Sequence, residues 1–293
     1  MKPASFEYYA PTTLEEALDR IGEVGNDGGK ILAGGQSLIP AMNFRLAQPT
    51  ALVDLNRVEE LFYIKTDATG AVLVGAMTRD TSVEFDPEVK KVAPMLHECL
   101  PFLAHSQIRN RGTFGGAVCH GDPAGQVPVV AVAQNYDLLI KSKANSERWV
   151  KAEDFYLSLY TNVVEPDEIL VQVKIPKLPA HAGSSYKQTA RQAGASAIVG
   201  VASVVELDEK EQCKNVRLVY MGVGEMPVFS QKAAEVMVGQ KVNDTLIAEA
   251  VEACIAEELD PGQDMHATPA FRKHLARELG KASIQEAFAR AKK

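Results

Sequence analysis

The sequence predicts an α+β protein of two domains, and three features of the chain support this prediction. Short apolar runs typical of buried strands alternate with helical patterns in the first part of the chain. A proline-containing segment at residues 176–179 then reads as a linker. Beyond it, long strand patterns come first and helical patterns follow, as in an α+β arrangement.

Composition and charge narrow the class of protein. Hydrophobic residues make up 46% and charged residues 24% of the chain, values typical of a globular protein. The net charge of −7 argues against a nucleic acid or an anionic membrane as partner. No apolar stretch reaches the roughly 18 to 20 residues needed to span a bilayer. The first residues are too polar for a signal peptide, so we expect a cytoplasmic location.

The four cysteines, Cys99, Cys119, Cys213 and Cys254, are widely scattered and form no C-x-x-C pair. Their spacing therefore predicts neither a zinc site nor an iron–sulfur cluster. If the protein takes part in metal redox chemistry, we expect the metals on another chain.

The first elements follow from capping signals. Thr13 and Glu16 form a capping box that predicts a helix start, with an apolar face following it. Residues 30–33 read as a short buried strand. Residues 37–42 then read as a helix start, with Ser37 as its cap.

The remaining elements follow from periodicity and composition. We predict strands at 51–55, 71–75, 138–141 and 169–175, a helix-like stretch at 89–104 and a buried helix at 127–133. After the linker we predict strands at 197–207 and 216–223 and helices at 246–255, 271–279 and 283–289, with Gly280 separating the last two helices.

Two glycine-rich turns about eighty residues apart are the strongest functional signal. They are Ala33-Gly34-Gly35-Gln36-Ser37 and Thr113-Phe114-Gly115-Gly116-Ala117. Adjacent glycines let the backbone approach a ligand closely, and successive N–H groups can bind anionic oxygens. A single turn of this kind could equally be a strand-to-helix connection that binds no ligand. Two such turns suggest that they bind the two sides of a diphosphate, and hence a dinucleotide. Neither is a P-loop or a G-x-G-x-x-G motif.

Polar residues crowd around the second turn. Arg109 and Arg111 precede it, and His120 and Asp122 follow it. Arg109 could equally be a solvated charge or an ion-pair partner of Asp122, and His120 a structural histidine. No carboxylate pair or nucleophile–histidine pattern accompanies them, so the residues suggest a chain that holds a cofactor on which the reaction depends.

Three segments together carry a specific resemblance. Residues 33–38 (AGGQSL), 52–56 (LVDLN) and 108–116 (IRNRGTFGG) resemble the flavoprotein subunit of molybdenum hydroxylases. The chain is most similar to the medium subunit of the carbon monoxide dehydrogenase type, which is related to the flavin domain of xanthine dehydrogenase. The similarity extends over essentially the whole chain.

The resemblance implies a fold and a cofactor. It implies a two-part FAD-binding domain of the vanillyl-alcohol-oxidase (PCMH-like) type over residues 1–176, with subdomains of about 1–57 and 58–176. A C-terminal domain with an antiparallel sheet and helices would span residues 180–293. FAD would bind without a covalent link, its diphosphate clasped by the two turns. The implied FAD-binding residues are Ala33, Gly34, Gly35, Gln36, Ser37, Leu38, Thr113, Gly115, Gly116, Ala117, His120, Asp122, Gln126 and Lys187.

The resemblance also implies partners. The flavin would take electrons from two-iron two-sulfur clusters on a small subunit, themselves reduced by a molybdenum–pterin site on a large subunit. The expected assembly is a dimer of heterotrimers, with neither nucleic acid nor a membrane span. Two alternatives remain open at this point: a self-contained flavin oxidase of the same fold, and a nucleotide-binding assembly subunit without redox function.

Three positions depart from the family pattern. Gln126 stands where an acidic residue is frequent, Gln188 where lysine is usual, and Ser196 where an aromatic residue is usual. Lys187 is a candidate replacement for the missing lysine, although adjacent side chains of an extended segment point to opposite sides.

Overall fold

The first region of the fold is a small parallel sheet. The computed structural model describes residues 1–144 and 147–293, and it confirms the α+β class. The sheet has the strand order β1-β3-β2. The elements of this region are β1 (Glu7–Tyr9), α1 (Leu14–Val24), β2 (Lys30–Leu32), α2 (Leu38–Asn43) and β3 (Ala51–Asp54). Thr13 caps α1 as predicted, accepting a hydrogen bond from the backbone N–H of Glu16.

The second region pairs an antiparallel sheet of order β4-β5-β10-β6-β7 with several short helices. Its elements are β4 (Ile64–Thr66), β5 (Val72–Gly75), α3 (Asp80–Phe85), α4 (Pro87–Val92), α5 (Pro94–Cys99), α6 (Ser106–Arg109), α7 (Phe114–His120), α8 (Gln126–Ala133), β6 (Asp137–Ser142), β7 (Glu147–Lys151), a hairpin of β8 (Tyr156–Ser158) and β9 (Thr161–Asn162), and β10 (Glu168–Ile175). Every residue of α8 is buried, as predicted for this apolar run.

The third region is a four-stranded antiparallel sheet of order β11-β12-β13-β14, followed by three helices. Its elements are β11 (Ala182–Ala190), β12 (Ala197–Leu207), β13 (Cys213–Met221), β14 (Val228–Phe229), α9 (Gln231–Met237), α10 (Asp244–Glu257) and α11 (Pro269–Ala291). The strand predicted at 197–207 is confirmed at both ends, and the predicted order of sheet before helices is confirmed as well.

The third sheet is buried on both faces, which joins the C-terminal region firmly to the second. Val201 and Val205 of β12 belong to the core under α9–α11. Ala202 and Val204 lie on the opposite face, in the core that also contains α5 and α8. Because one continuous apolar core crosses the boundary, the packing favours a fixed relation between the two regions.

Two helix predictions were wrong in detail. The stretch at 89–104 is divided between α4, α5 and a 3₁₀ turn, because Pro94 begins α5 and Pro101 lies in the turn that ends it. Gly280 does not separate two helices, since α11 is continuous across it. No helix within the described ranges is long and apolar enough to cross a membrane.

Candidate functional site

The first glycine turn joins β2 to α2 and presents a row of unused backbone donors. Gly35 has φ = +72°, a left-handed conformation that favours glycine. Within residues 1–144 and 147–293, the N–H groups of residues 34–38 donate to no protein acceptor. Gln36 and Ser37 are exposed, so these amides face accessible space. Consecutive free N–H groups in a left-handed turn suit anionic oxygens.

Ser37 does not cap α2, contrary to the sequence prediction. Its backbone is helical rather than extended, and its hydroxyl accepts no hydrogen bond from the helix N-terminus. The hydroxyl is therefore available to a ligand beside the free amides. Gln36 is used locally, since its Nε2 donates to the carbonyl of Gly34 at 3.0 Å.

The second glycine turn differs, because its amides are already bonded. Thr113 caps α7 and accepts from the N–H of Gly116 at 3.2 Å. The N–H groups of Phe114 and Gly115 donate to Thr78 and Ala76, both at 2.9 Å, and Ala117 donates to Thr113. The N–H groups of residues 114–117 are thus bonded within the protein, whereas those of the first turn are free within the described residues.

The first turn lies against the segment that leads into the second turn. A Cβ built on Gly34 would lie 2.5 Å from the carbonyl oxygen of Arg111 and 2.7 Å from the Cα of Gly112. A Cβ on Gly116 would lie 3.6 Å from the Cβ of Ala33. The segment that contains Ala33 and Gly34 is therefore close to residues 111–116.

Two side chains that the sequence did not single out connect these turns. Asn56 donates from Nδ2 to the carbonyl of Ala33 at 2.8 Å. Arg79 donates to Oδ1 of Asn56 at 2.6 Å and to the carbonyl of Arg111 at 2.7 Å. The available signal was the position of Asn56 directly after a predicted strand, in one of the three family-like segments.

A buried carboxyl group lies beside the second turn. Asp80 is 3% exposed, and its Oδ1 has no hydrogen-bond partner within the described part of the chain. Its Oδ2 occupies the space where Gly112 would carry a Cβ, at 2.2 Å. Burial raises the pKa of Asp80 to about 7, although Arg109 and Arg79 oppose the shift.

Arg109 has a structural role. Its guanidinium pairs with Glu84 at 2.7 Å and donates to the carbonyl of Leu103 at 3.0 Å. Both side chains of the pair are largely buried. The alternative of an ion pair with Asp122 is therefore wrong. Arg109 instead connects α3, which carries Glu84, to the segment before α6, which carries Leu103.

His120 and Asp122 lie at the other end of α7. The His120 ring lies 5.2 Å from the ring of Tyr160 on the β8–β9 hairpin. Asp122 accepts from the N–H of Ala124 at 2.8 Å, which orders the segment leading into α8. The carbonyl of Pro123 accepts from the N–H of Gly222 at 2.8 Å, so this end of α7 meets the third sheet.

Gln126 lies at the boundary with the third sheet. Its Nε2 is 3.2 Å from Oε1 of Gln188 and 3.4 Å from the carbonyl of Phe102. The hydroxyl of Tyr186 donates to the same Gln188 oxygen at 2.5 Å. Three polar side chains thus join the second and third regions at a partly buried position.

Lys187 and Ser196 stand apart from this contact. Lys187 points to the other side of β11, where it forms an ion pair with Glu286 of α11. Ser196 is exposed in the loop between β11 and β12. Lys187 is thus turned toward α11 rather than toward Gln126.

The residues fit a dinucleotide cofactor. The first turn offers free N–H groups and a hydroxyl, and a side chain on Gly34 or Gly35 would disturb this surface. Diphosphate oxygens are the natural ligands of such a row of donors. Within the described residues, no group of three or more histidine, cysteine or acidic side chains could hold a metal ion.

Comparison with protein families divides the chain into two matched ranges. Residues 4–178 match the FAD binding domain in molybdopterin dehydrogenase. Residues 184–287 match the CO dehydrogenase flavoprotein C-terminal domain. The chain is also 35% identical to the 6-hydroxypseudooxynicotine dehydrogenase complex subunit alpha of Paenarthrobacter nicotinovorans, over 100% of this chain and 97% of that protein.

Solved structures agree in fold along the whole chain. A chain of carbon monoxide dehydrogenase from Hydrogenophaga pseudoflava superposes with a TM-score of 0.94 at 32% identity, covering 99% of both chains. A chain of quinoline 2-oxidoreductase from Pseudomonas putida 86 superposes with a TM-score of 0.91 at 34% identity, also covering 99% of both chains.

Proposed function

The chain belongs to the family of FAD-binding subunits of molybdenum-containing dehydrogenases and hydroxylases, and we propose that it transfers electrons within such an enzyme. In this proposal, electrons pass from two-iron two-sulfur clusters on a partner subunit through FAD to an external acceptor. The observation that carries the proposal is the row of free N–H groups at residues 34–38, braced against the second glycine turn.

The residues of this chain hold and orient the cofactor. The N–H groups of the first turn and the hydroxyl of Ser37 would bind the diphosphate. The hydrogen bond between Thr113 and Gly116 would hold the second turn in position on the other side of the diphosphate. FAD supplies, when bound, a ring system that accepts and releases one or two electrons. We further propose that residues 1–176, with parts of about 1–57 and 58–176, form the FAD-binding domain and 180–293 the C-terminal domain.

We propose two partner chains, a small iron–sulfur subunit and a large molybdopterin subunit, assembled as a dimer of heterotrimers. The names of the relatives support partners in general, since they describe a subunit of a dehydrogenase complex and medium chains of carbon monoxide dehydrogenase. In this assembly the substrate would react on the large subunit. The role of this chain is then defined by where electrons enter and leave the flavin.

The proposal is tested by purifying the chain from a host that co-expresses its partner subunits and recording the absorption spectrum. We expect flavin bands, a broad iron–sulfur shoulder and two additional chains. Hot-acid precipitation should release the flavin into the supernatant, as for a non-covalent cofactor. A colourless preparation would contradict FAD binding.

Electron transfer requires a second measurement under anaerobic conditions. A panel of aldehydes and N-heterocycles is screened for one that reduces the complex. We expect this compound to bleach the flavin only when both partner subunits are present. Bleaching of the isolated chain would instead favour a self-contained flavin oxidase.

A further inference from the structure

Two side chains outside the glycine turns connect one turn to the other. We propose that Asn56 and Arg79 are positioning residues that fix the spacing of the turns, and with it the diphosphate site. This inference rests on the proposed function, because it takes FAD as the ligand. Neither residue would contact the reacting atoms, and both would act through the backbone of the turns.

The orientation of the Asn56 amide is determined by its neighbours. Its Nδ2 donates to the carbonyl of Ala33 at 2.8 Å and to the carboxylate of Asp54 at 2.6 Å. Its Oδ1 accepts from Arg79 at 2.6 Å. Because carbonyls and carboxylates only accept and a guanidinium only donates, the reverse orientation would lose all three bonds.

Asn56 also directs the first donor of the row. The carbonyl of Ala33 and the N–H of Gly34 belong to the same planar trans peptide, so they point in opposite directions. By holding the Ala33 oxygen, Asn56 points the Gly34 N–H away from itself. The first of the free amides thus has a fixed direction before any ligand arrives, which lowers the entropic cost of binding.

Arg79 completes the link to the segment that leads into the second turn. One nitrogen of its guanidinium holds Asn56, and another donates to the carbonyl of Arg111 at 2.7 Å. The guanidinium also lies over the ring of Phe62, 5.4 Å from its centroid, which restricts its position. A lysine has one ammonium group on a flexible stem and cannot reproduce this fork.

The link acts where the first turn packs against the segment that leads into the second turn. The two carbonyls that it holds directly precede Gly34 and Gly112, and a Cβ on Gly34 would lie 2.7 Å from the Cα of Gly112. Loss of the link would leave this contact supported by packing alone. The turns could then separate, which would move the free amides away from the geometry that a diphosphate requires.

The test compares FAD titrations of the ligand-free, full-length chain. The variants are Asn56→Asp, which places a carboxylate against the Ala33 carbonyl and Asp54, and Arg79→Lys, which keeps the charge without the fork. Arg148→Lys is the matched control, because Arg148 also bridges a carboxylate, Glu168, and a carbonyl, that of Val163, far along the chain from the turns. We expect about 10- to 100-fold weaker FAD binding in each link variant.

ADP separates positioning from general destabilisation, because it carries the diphosphate without the flavin. We expect ADP binding to weaken by the same factor as FAD binding. The double variant should lose no more than the worse single variant, since both residues belong to one link. The ligand-free melting temperature of Arg79→Lys should change no more than that of the control.

Two results would overturn the positioning role: FAD binding that equals the Arg148→Lys control, or weaker FAD binding with unchanged ADP binding. Arg79→Lys alone decides the matter if Asn56→Asp does not fold. A wild-type chain that binds no FAD would instead overturn the proposed function, so the two failures are distinguishable.

Discussion

Gln126 and Gln188 meet across the boundary between the second and third regions, with Nε2 of Gln126 3.2 Å from Oε1 of Gln188. At these positions the family resemblance implies a frequent acidic residue and a lysine instead. The contact gives these departures one explanation. A charge at position 126 would be buried facing a neutral amide, and a charge at the half-buried position 188 would face the neutral amide of Gln126, so the two neutral side chains suit each other.

We predict that Gln126→Glu destabilises the chain and that Gln188→Lys on the same chain restores it. The glutamate would lose the donor that now faces Gln188 and the Phe102 carbonyl, and it would bury a charge without a partner. We expect a loss of about 1–3 kcal/mol for the single variant. Denaturant unfolding of both single variants and the double variant measures this coupling.

Lys187 provides the control for this cycle. It lies on the opposite side of β11, paired with Glu286, and should not compensate a glutamate at position 126. Lys187→Gln should therefore leave the cost of Gln126→Glu unchanged. If Lys187→Gln increases that cost, Lys187 does act as the missing lysine.

A second prediction concerns Gly35→Val in the first glycine turn. The Cβ of the valine would lie 3.1 Å from Ile39 and 3.3 Å from Leu32. The valine would also have to adopt the left-handed backbone conformation of Gly35. We expect FAD to be lost from the purified complex, because the free amides would no longer hold their arrangement. The flavin content per chain, from the absorbance of the released cofactor, measures the effect.

Gly239→Val is the matched control, since Gly239 has φ = +80° and nothing lies within 4 Å of the position that its Cβ would take. It carries a similar backbone cost of about 1–2 kcal/mol without touching the turns. Equal loss of FAD in both variants would mean that instability, rather than the site, explains the result.

A third prediction follows from the raised pKa of Asp80. The folded chain holds the proton up to about pH 7, whereas the unfolded chain releases it near pH 3.8. The folded state therefore binds more protons between these values, and the contribution of Asp80 to stability falls by about 1.4 kcal/mol per pH unit across them. It is fully present below pH 3.8 and lost above pH 7.

Asp80→Asn should remove this slope, as measured by the difference in unfolding free energy between wild type and variant from pH 4 to pH 8. Asp67→Asn is the control, because Lys174 holds the pKa of Asp67 below its usual value, so the difference between wild type and this variant should stay flat from pH 4 to pH 8. The contribution of Asp67 is present above the unfolded pKa and lost as the pH falls. A difference between wild type and Asp80→Asn that is flat with pH would contradict the assignment.

The sequence predicted the parts of this fold that local pattern determines. The apolar run of β12, the buried α8 and the two glycine turns are visible without tertiary information. The strand β11 was missed because Gly183, Ser184 and Ser185 lack an apolar alternation. Their small size lets α11 approach, and a Cβ on Gly183 would lie 2.0 Å from the carbonyl of Ala287.

The sequence marked the two glycine turns but not how their backbone groups are bonded. Glycine pairs marked both turns. The amides of the second turn are not free, however, because they are bonded to the carbonyls of Ala76 and Thr78, which lie far from either motif along the sequence. The link through Asn56 and Arg79 joins three separate segments, and no periodicity reports such a contact. Sequence pattern therefore marked the two turns, and tertiary structure showed the side chains that link their backbones.

The last prediction concerns Gly280→Ala within α11. Alanine is the better helix former by about 1 kcal/mol, so local propensity alone predicts stabilisation. The structure predicts the opposite, because the new Cβ would lie 2.1 Å from Oη of Tyr220 and 3.3 Å from Val251. We expect a net loss of about 1–3 kcal/mol from overpacking, measured by denaturant unfolding.

Tyr220→Phe tests the cause, since it removes the atom that collides. The Tyr220 hydroxyl is buried and has no hydrogen-bond partner within residues 1–144 and 147–293, so its removal alone should cost little. Gly280→Ala should be far less harmful on the Tyr220→Phe chain. Gly22→Ala is the propensity control, because nothing lies within 4 Å of its Cβ and α1 should gain stability. If Gly280→Ala stabilises the chain as Gly22→Ala does, Gly280 is not required by the packing of α11 on β13.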